Sequence, residues 1–353
     1  MRGTHVTVGM SGGVDSSLTA ALLVEQGYQV TGVYLRNWSR DLPGFKCPWA
    51  EDLADAERVA VRLGIGFEVW DCEEAYRQEV VDYLVDSYRQ GLTPNPDVMC
   101  NEKIKFGTFA RLAEEHGADL IATGHYARTR RGRLLRSADA HKDQTYFLWR
   151  VPGTVLARTL FPIGDISSKT EVREMAAARG LEVASKPDSQ GICFVGEVGL
   201  RPFLLEEIER KPGDIVEWGT GRVLGRHQGA FLYTVGQRKG LDLGGGPARY
   251  VVRTDTEANI VTVTDDLSCP DLWTSRVCCH DARWVDGAAP ADGRYLARTR
   301  HTGQLREVEA VFAPEGGTFS ISYPEPVRTV APGQSVVLYE GEECLGGGVA
   351  DRF

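Results

Sequence analysis

A glycine- and serine-rich segment near the start of the chain has the composition of a phosphate-binding loop. It follows a short apolar strand at residues 5–8 and precedes an Ala/Leu-rich helix expected at residues 18–26. Glycines let the backbone approach an anion, while the free N–H groups and the dipole of a helix N-terminus attract it. We therefore expect phosphate to bind at Gly9, Met10, Ser11, Gly12, Gly13, Val14, Asp15 and Ser16.

The spacing within this segment differs from two commoner phosphate loops. The loop of P-loop NTPases requires a lysine before Ser or Thr, and residues 9–17 contain none. The dinucleotide fingerprint requires an acidic residue at the end of the next strand, but the strand predicted at residues 29–35 is followed by Arg36. From the glycines alone, a plain turn in which Ser or Asp caps the helix remains the alternative.

Two cysteines lie in segments suited to thiol chemistry. Cys100 ends the run Asn-Pro-Asp-Val-Met-Cys, just before a helix predicted at residues 102–116. A helix N-terminus stabilises a thiolate, and Asp97 lies near enough for acid–base work. Cys193 follows the polar run Asp-Ser-Gln-Gly. For both cysteines, a buried, unreactive thiol is the alternative that these residues leave open.

Alternating strands and helices must position these groups. From residue 5 to about residue 139 the alternation predicts an α/β fold with a doubly wound parallel sheet, whose ligands bind at the carboxyl ends of the strands. The strand predicted at residues 120–123 ends there, beside Gly124 and His125. We predict three domains: residues 1–200, a small central α+β domain at residues 201–270, and a β-barrel of short strands at residues 271–353.

Composition narrows the possible partners. The 353 residues include 42% hydrophobic and 25% charged residues, without an apolar run long enough to span a bilayer or a signal or transit pattern, so we expect a cytoplasmic protein with no membrane contact. The eight cysteines form no C-x-x-C pair, so we expect no structural metal. With a net charge of −9, any RNA site must be local. The best basic cluster is Arg128, Arg130, Arg131, Arg133 and Arg136, for which a solvated hairpin tip is the alternative.

Several longer motifs occur in a fixed order from end to end of the chain. They are SGGVDSS, NPDVMCN, ATGHYAR, KDQTYFL, DSQGICFV, TVGQRKGL and APGQSVVLY. The set resembles the bacterial tRNA-specific 2-thiouridylases, a family of PP-loop ATP pyrophosphatases. The resemblance implies that ATP adenylates O2 of the wobble uridine in the anticodon loop of tRNA. Sulfur then displaces AMP, because AMP is a far better leaving group than the uridine oxygen, and 2-thiouridine results.

The resemblance also implies roles for individual residues. Residues 9–16, Leu35 and Gly124 would bind ATP, with Mg²⁺ at Asp15. Cys193 would carry a persulfide sulfur received from a donor protein, such as a cysteine desulfurase or a relay protein. Cys100 would free that sulfur as sulfide, leaving a Cys100–Cys193 disulfide to be reduced.

Further residues are implied in tRNA binding. Asn95, Pro96 and Asp97 would contact the target base, with Asp97 as the proton-transfer group. The other tRNA contacts implied are His125, Lys142, Asp143, Gln144, Arg300, His301 and Gln334.

Two alternatives to this scheme stay open. In one, Asp97, Cys100 and Cys193 hold an iron–sulfur cluster that delivers sulfide. In the other, the chain is a non-catalytic tRNA-binding sulfur carrier for which ATP is only a conformational ligand.

Overall fold

A five-stranded parallel sheet forms the core of the N-terminal part of the chain, as predicted. The computed structural model describes residues 3–41, 47–188 and 199–352. The strand order is β3-β2-β1-β4-β7, and every neighbouring pair is parallel. The strands are β1 His5–Gly9, β2 Gln29–Arg36, β3 Gly66–Asp71, β4 Leu120–Thr123 and β7 Thr159–Leu160.

Helices cover the two faces of this sheet and bury separate apolar clusters. The longest uninterrupted one, α2, spans Trp49–Leu63 as its apolar spacing predicts, and it ends at Gly64 in the left-handed conformation. The remaining α-helices of the described chain are α1 Val14–Glu25, α3 Glu73–Tyr76, α4 Tyr83–Arg89, α5 Pro96–Met99, α6 Phe109–Glu115, α7 Gly153–Leu156, α8 Lys169–Ala178 and α9 Leu200–Glu207. Wider helical turns, Arg77–Asp82 and Cys100–Thr108, join α3 to α4 and α5 to α6. Short 3₁₀ turns lie at Thr145–Phe147, Glu182–Ser185, Ala230–Leu232 and Pro270–Leu272.

The helix that carries Cys100 begins earlier than predicted. It starts at Pro96, not near residue 102, because Asn95 caps it through a hydrogen bond from Val98 N to Asn95 Oδ1 and Pro96 takes the first helical position. Cys100 therefore lies in the second turn, where its N–H already bonds to a carbonyl of the preceding turn. The prediction of a thiol at a helix N-terminus is wrong.

The central domain is a four-stranded sheet in the order β10-β11-β8-β9. Its strands are β8 Gly213–Glu217, β9 Val223–His227, β10 Tyr250–Asp255 and β11 Ile260–Thr264. The alternate apolar residues Phe231, Tyr233 and Val235 have the pattern of a strand, but this segment is the 3₁₀ turn Ala230–Leu232 and the chain after it. The three side chains are buried without belonging to a sheet.

The C-terminal domain is a closed antiparallel barrel, in which the first strand, β12, also pairs with the last, β17. Its strands are β12 Trp273–Trp284, β13 Gly293–Arg298, β14 Arg306–Phe312, β15 Phe319–Arg328, β16 Ser335–Glu340 and β17 Glu343–Ala350. A hairpin of the first domain, β5 Ala127–Arg130 and β6 Arg133–Arg136, extends this sheet by pairing β6 with β17. The barrel is thereby joined to the first domain. Across the described ranges, no helix has both the length and the apolar character needed to cross a membrane.

Candidate nucleotide and thiol site

The loop at residues 9–16 leaves β1 and wraps around the start of α1. Gly13 is the N-cap of α1, and no side chain caps this helix. Ser16 Oγ accepts a hydrogen bond from Ser11 N at 3.1 Å, while Ser17 Oγ donates to Gly13 O at 2.8 Å. The alternative in which Ser or Asp caps the helix is therefore wrong. The helix N-terminus is left to attract an anion through its N–H groups.

Glycine is required where this loop meets its neighbours. Gly12 has a φ of +73°, and a Cβ there would lie 2.2 Å from the carbonyl oxygen of Asp52. Gly124, at the end of β4, would place a Cβ 2.7 Å from Ser16 N at the start of α1. Lys186 secures the loop from behind by donating to Gly12 O at 3.1 Å and to Asp52 Oδ1 at 2.6 Å.

We expect Gly12→Ala to destabilise the protein and weaken nucleotide binding. A positive φ and a backbone overlap each cost on the order of 1–3 kcal/mol. The adjacent Gly13→Ala is the matched control, because Gly13 has a φ of −96° and its Cβ would meet only Ser11 Oγ, at 3.6 Å. Thermal unfolding and ATP calorimetry measure both variants. Equal behaviour of the two would contradict the close packing described for Gly12.

The Asp15 carboxylate, in the first turn of α1, is held by two groups from outside the loop. Tyr126 donates its hydroxyl to Asp15 Oδ1 at 2.8 Å, and Lys169 Nζ lies 2.8 Å from each Asp15 oxygen. Burial and the Asp15 charge raise the pKa of Tyr126, so this phenol is a neutral donor. Sequence reasoning missed Lys169. One local signal was available. Lys169 is the first residue of α8, just after the Ser168 cap, where a positive charge interacts unfavourably with the helix dipole, so an ion pair with another residue must offset that interaction.

Lys169 also joins the loop to Asp188, the last described residue before the segment that contains Cys193. Asp188 accepts hydrogen bonds from Lys142 at 3.0 Å and from Arg173 at 2.8 Å, besides its 2.8 Å ion pair with Lys169. Burial acts to raise the pKa of Asp188, but the hydrogen bonds from Lys169 and Lys142 outweigh it and lower the pKa overall. Asp188 is therefore a carboxylate at neutral pH.

Cys100 packs at the same edge of the sheet as the nucleotide loop. It is 5% exposed, in an apolar cluster with Trp38 and Cys72, which follow the carboxyl ends of β2 and β3. Asp97 precedes it by one helical turn, and although solvent reaches its side chain, desolvation by the surrounding protein outweighs the Lys105 charge and raises the pKa of its carboxyl. Cys193 lies outside the described residues.

Three domains meet at the chain that leads into the Cys100 helix. Two hydrogen bonds join Thr93 to the barrel domain: Thr93 N donates to Pro332 O at 2.7 Å, and Gln334 Nε2 donates to Thr93 O at 2.7 Å. The Thr93 hydroxyl lies 3.1 Å from that of Thr234 in the central domain. Asn95 and Asp97 therefore lie just beyond a junction that fixes their orientation.

Comparisons with known proteins agree over almost the whole chain. Three family models match, described as the tRNA methyl transferase HUP domain over residues 4–197, its PRC-barrel domain over 201–265, and an aminomethyltransferase beta-barrel domain over 274–350. The tRNA-specific 2-thiouridylase MnmA of Methylococcus capsulatus is 44% identical, with 98% of this chain and 96% of that protein covered. The chain belongs to the tRNA-specific 2-thiouridylase family.

Other members are equally similar. The MnmA proteins of Bordetella petrii and Shewanella baltica OS155 are 45% and 43% identical, and each match covers 99% of this chain and 96% or 97% of the relative. Among solved structures, a 4-thiouridine synthetase–RNA complex with bound ATP matches at 20% identity and a TM-score of 0.36, over 58% of this chain and 49% of that one. A likeness that distant carries no argument about the site.

Several residues that the family resemblance links to tRNA are buried. Thr123 Oγ1 lies 2.8 Å from His125 Nδ1, and burial holds the pKa of His125 well below its ordinary value, so the ring is neutral. Asp143 is fully buried and accepts hydrogen bonds from Arg136 and Arg298, both at 3.1 Å. Gln144 is half-buried, and its Oε1 accepts a hydrogen bond from Tyr126 N at 2.9 Å. Through these hydrogen bonds to other protein groups, the three side chains support the backbone around the site.

The other residues of that set lie nearer the surface. Arg300 is exposed in the turn after β13, and the adjacent His301 ring stacks near Phe147 with centroids 4.4 Å apart. Burial lowers the pKa of His301. Lys142 is partly exposed beside Asp188.

Three of the five arginines of the β5–β6 hairpin are held in ion pairs, whereas Arg130 and Arg131 are exposed at its tip. Arg128 pairs with Glu342 at 3.0 Å, Arg133 with Glu343 at 3.1 Å and Arg136 with Asp143 at 3.1 Å. Two of these carboxylates belong to the end of the barrel, which the hairpin joins. The paired arginines therefore serve domain docking and the contact with Asp143, while Arg130 and Arg131 remain exposed cations at the tip.

No group of three or more His, Cys, Asp or Glu side chains converges as a metal site within the described ranges. The iron–sulfur ligand set includes Cys193, which lies outside those ranges, so that alternative stays a prediction.

Proposed function

We propose that this chain converts the wobble uridine of tRNA to 2-thiouridine by ATP-dependent adenylation followed by sulfur transfer. The observation that carries the proposal is the shared location of two features. An uncapped helix N-terminus suited to phosphate and the helix of Asp97 and Cys100 lie at one edge of the parallel sheet. The relatives named 2-thiouridylases support the same reaction.

ATP would bind with its phosphates against residues 9–16. Leu35, a partly buried apolar residue near the end of β2, and Gly124, beside the start of α1, would border the nucleoside. The Asp15 carboxylate offers the hard oxygen that Mg²⁺ prefers, so Asp15 would hold that ion together with phosphate oxygens. The bound ion would supply charge neutralisation at the phosphates.

The target uridine would leave the anticodon loop and enter beside Asn95, Pro96 and Asp97. A base in a single-stranded loop can be splayed out at low cost, unlike one in a duplex. Its O2 then bonds to the α-phosphorus of ATP while the bond to the bridging oxygen breaks and pyrophosphate leaves. Asp97 would accept the proton that the uridine loses from N3.

Sulfur transfer would follow at the two cysteines. A donor protein would leave a persulfide on Cys193, and the Cys100 thiolate would attack the Cys193 sulfur. That step forms the Cys100–Cys193 disulfide and releases hydrosulfide, which attacks C2 of the adenylated uridine and displaces AMP. A thiol reductant would restore both cysteines. The cytoplasm supplies both the tRNA and the reductant.

For tRNA docking, we assign direct contact to Lys142, Arg300 and His301, whereas Gln334, half-buried and bonded to Thr93 O, would hold the chain that leads to Asn95 beside the RNA. Gln144, His125 and Asp143 would act from beneath, because their hydrogen bonds within the protein hold the chain between the sheet and the barrel.

The rate of adenylation should depend on the protonation of Asp97. A proton acceptor must be ionised, so the rate should fall as the pH decreases through the raised pKa of Asp97, nearer to neutrality than for an ordinary aspartate. AMP release measured against pH tests this expectation. Asp97→Asn should be slower and should lose this acidic limb; an unchanged limb would exclude Asp97 as the acceptor.

One reaction tests the proposed function against its alternatives. The protein is incubated with tRNA, ATP and a persulfide donor, and AMP, pyrophosphate and thiolated tRNA should appear together. ATP left intact in the presence of bound tRNA would favour the non-catalytic carrier. Anaerobic purification followed by iron and sulfide analysis separates the cluster route from the persulfide route.

A further inference from the structure

Lys169, the first residue of α8, lies beside the nucleotide loop although it is distant from that loop in sequence. Its ammonium contacts both Asp15 oxygens and Asp188 Oδ1, all at 2.8 Å, and lies 5.7 Å from the centre of the Tyr126 ring. Only 14% of its side chain is exposed. A lysine placed between two carboxylates in this way is held in one orientation beside the N-terminus of α1.

Cations match the carboxylates around Lys169. Asp15, Asp188 and the buried Asp139, whose charge also reaches Tyr126, supply three negative charges, and Lys169, Lys142 and Arg173 supply three positive ones. Asp15 and Asp188 are thus already neutralised before an anion binds. The nearby pair of Asp52 and Asp55 lies on the other side of the loop, where it is bound by Lys186.

The three lysines near the loop have different contacts. Lys186 is committed to the Gly12 carbonyl and to Asp52 and Asp55, which makes it a support of the loop backbone. The ammonium of Lys142 contacts Asp188, and none of its described partners belongs to the loop at residues 9–16. Lys169 alone of the three holds a loop side chain, that of Asp15.

We propose that Lys169 is a further catalytic residue of adenylation, which contacts the pyrophosphate portion of ATP and stabilises the charge that develops there. This inference rests on the proposed function. As the uridine oxygen bonds to the α-phosphorus, the electron pair of the breaking bond passes to the bridging oxygen of the departing pyrophosphate. An ammonium aimed at that oxygen acts where charge develops, which is the most effective form of electrostatic catalysis. Lys169 thereby supplies from α8 the cation that residues 9–17 lack.

Binding measurements give a test that is independent of turnover. The full chain and its Lys169→Met variant are titrated calorimetrically with magnesium pyrophosphate and, separately, with AMP. We expect the variant to lose about tenfold or more in affinity for pyrophosphate, as charge-assisted hydrogen bonds disappear, and to keep its affinity for AMP. Lys169→Arg should retain most of the pyrophosphate affinity. Equal loss for both ligands, or for neither, would overturn the proposed contact.

A kinetic test separates catalysis from simple charge balance. Lys169→Met should slow AMP formation by about 100-fold or more, the usual effect of removing one such donor. Lys169→Met leaves Asp188 with Lys142 and Arg173 but takes the cation away from Asp15, so the double variant Lys169→Met/Asp15→Asn removes that unpaired carboxylate. A rate well below that of Asp15→Asn alone means that the lysine acts on the phosphates; a rate equal to that of Asp15→Asn alone would make Lys169 only a charge partner.

Two controls complete the design. Lys211→Met, at an exposed position in the central domain, should match the wild type in both assays. Wild-type protein that forms no AMP with tRNA would contradict the proposed function, whereas active wild type with equally active Lys169→Met would contradict the role of Lys169 alone.

Discussion

Cys193→Ser is expected to abolish thiolation of tRNA while leaving tRNA affinity almost unchanged. A serine hydroxyl cannot hold a persulfide, so no sulfur reaches the adenylated base. AMP should still form, because the nucleotide loop and Asp97 are unaltered, and the adenylated uridine would revert by hydrolysis. Thiolated nucleoside, AMP and tRNA binding are measured on the same preparation.

The matched control for this variant is Cys278→Ser, which alters an exposed cysteine on the barrel strand β12, remote in sequence from both reactive segments. It should thiolate like the wild type. Substantial thiolation by Cys193→Ser would remove Cys193 from the sulfur path.

Asp15→Ala is expected to stop AMP formation, with a loss of at least about 100-fold in rate. The change removes the proposed Mg²⁺ ligand and leaves Lys169 without its partner in the loop. Asp86→Ala removes an exposed carboxylate that pairs only locally with Arg89, so it controls for loss of one negative charge. Release of AMP and pyrophosphate is measured with saturating tRNA. A normal rate in Asp15→Ala would mean that Asp15 merely organises the start of α1.

Local signals in the sequence were enough to predict part of this site and of the elements around it. The loop at residues 9–16 could be predicted because glycines, serines and a following helix lie within a few residues of one another. Helix α2 was predictable for the same reason, since its apolar spacing and terminal Gly64 are local. The alternation of strands and helices likewise gave the parallel sheet.

Features that depend on distant contacts could not be predicted. Lys169 meets Asp15 across 154 positions of the chain, and Arg128 and Arg133 of the β5–β6 hairpin meet carboxylates more than 200 positions away. Sequence patterns do not report such pairs. The hairpin charges therefore suggested RNA, although Arg128 and Arg133 have their partners in the barrel.

The start of the Cys100 helix was missed for a different reason. Asn and Pro together are typical of loops, yet Asn as N-cap followed by Pro is also a helix-start signal, and the hydrogen bond from Val98 N to Asn95 Oδ1 makes Asn95 the cap. Burial of His125 and Asp143 was also invisible, because polar residues in a motif suggest exposure until their hydrogen-bond partners are known.

Nucleoside analysis of tRNA after reaction with the protein, ATP and a persulfide donor tests the central claim most directly. Digested tRNA is analysed by mass spectrometry, alongside the same tRNA with cytidine at the wobble position. We expect 2-thiouridine only in the first tRNA, with at least one AMP and one pyrophosphate released for each sulfur introduced. Sulfur at any other position, or ATP cleaved to AMP with the uridine left unchanged, would contradict it.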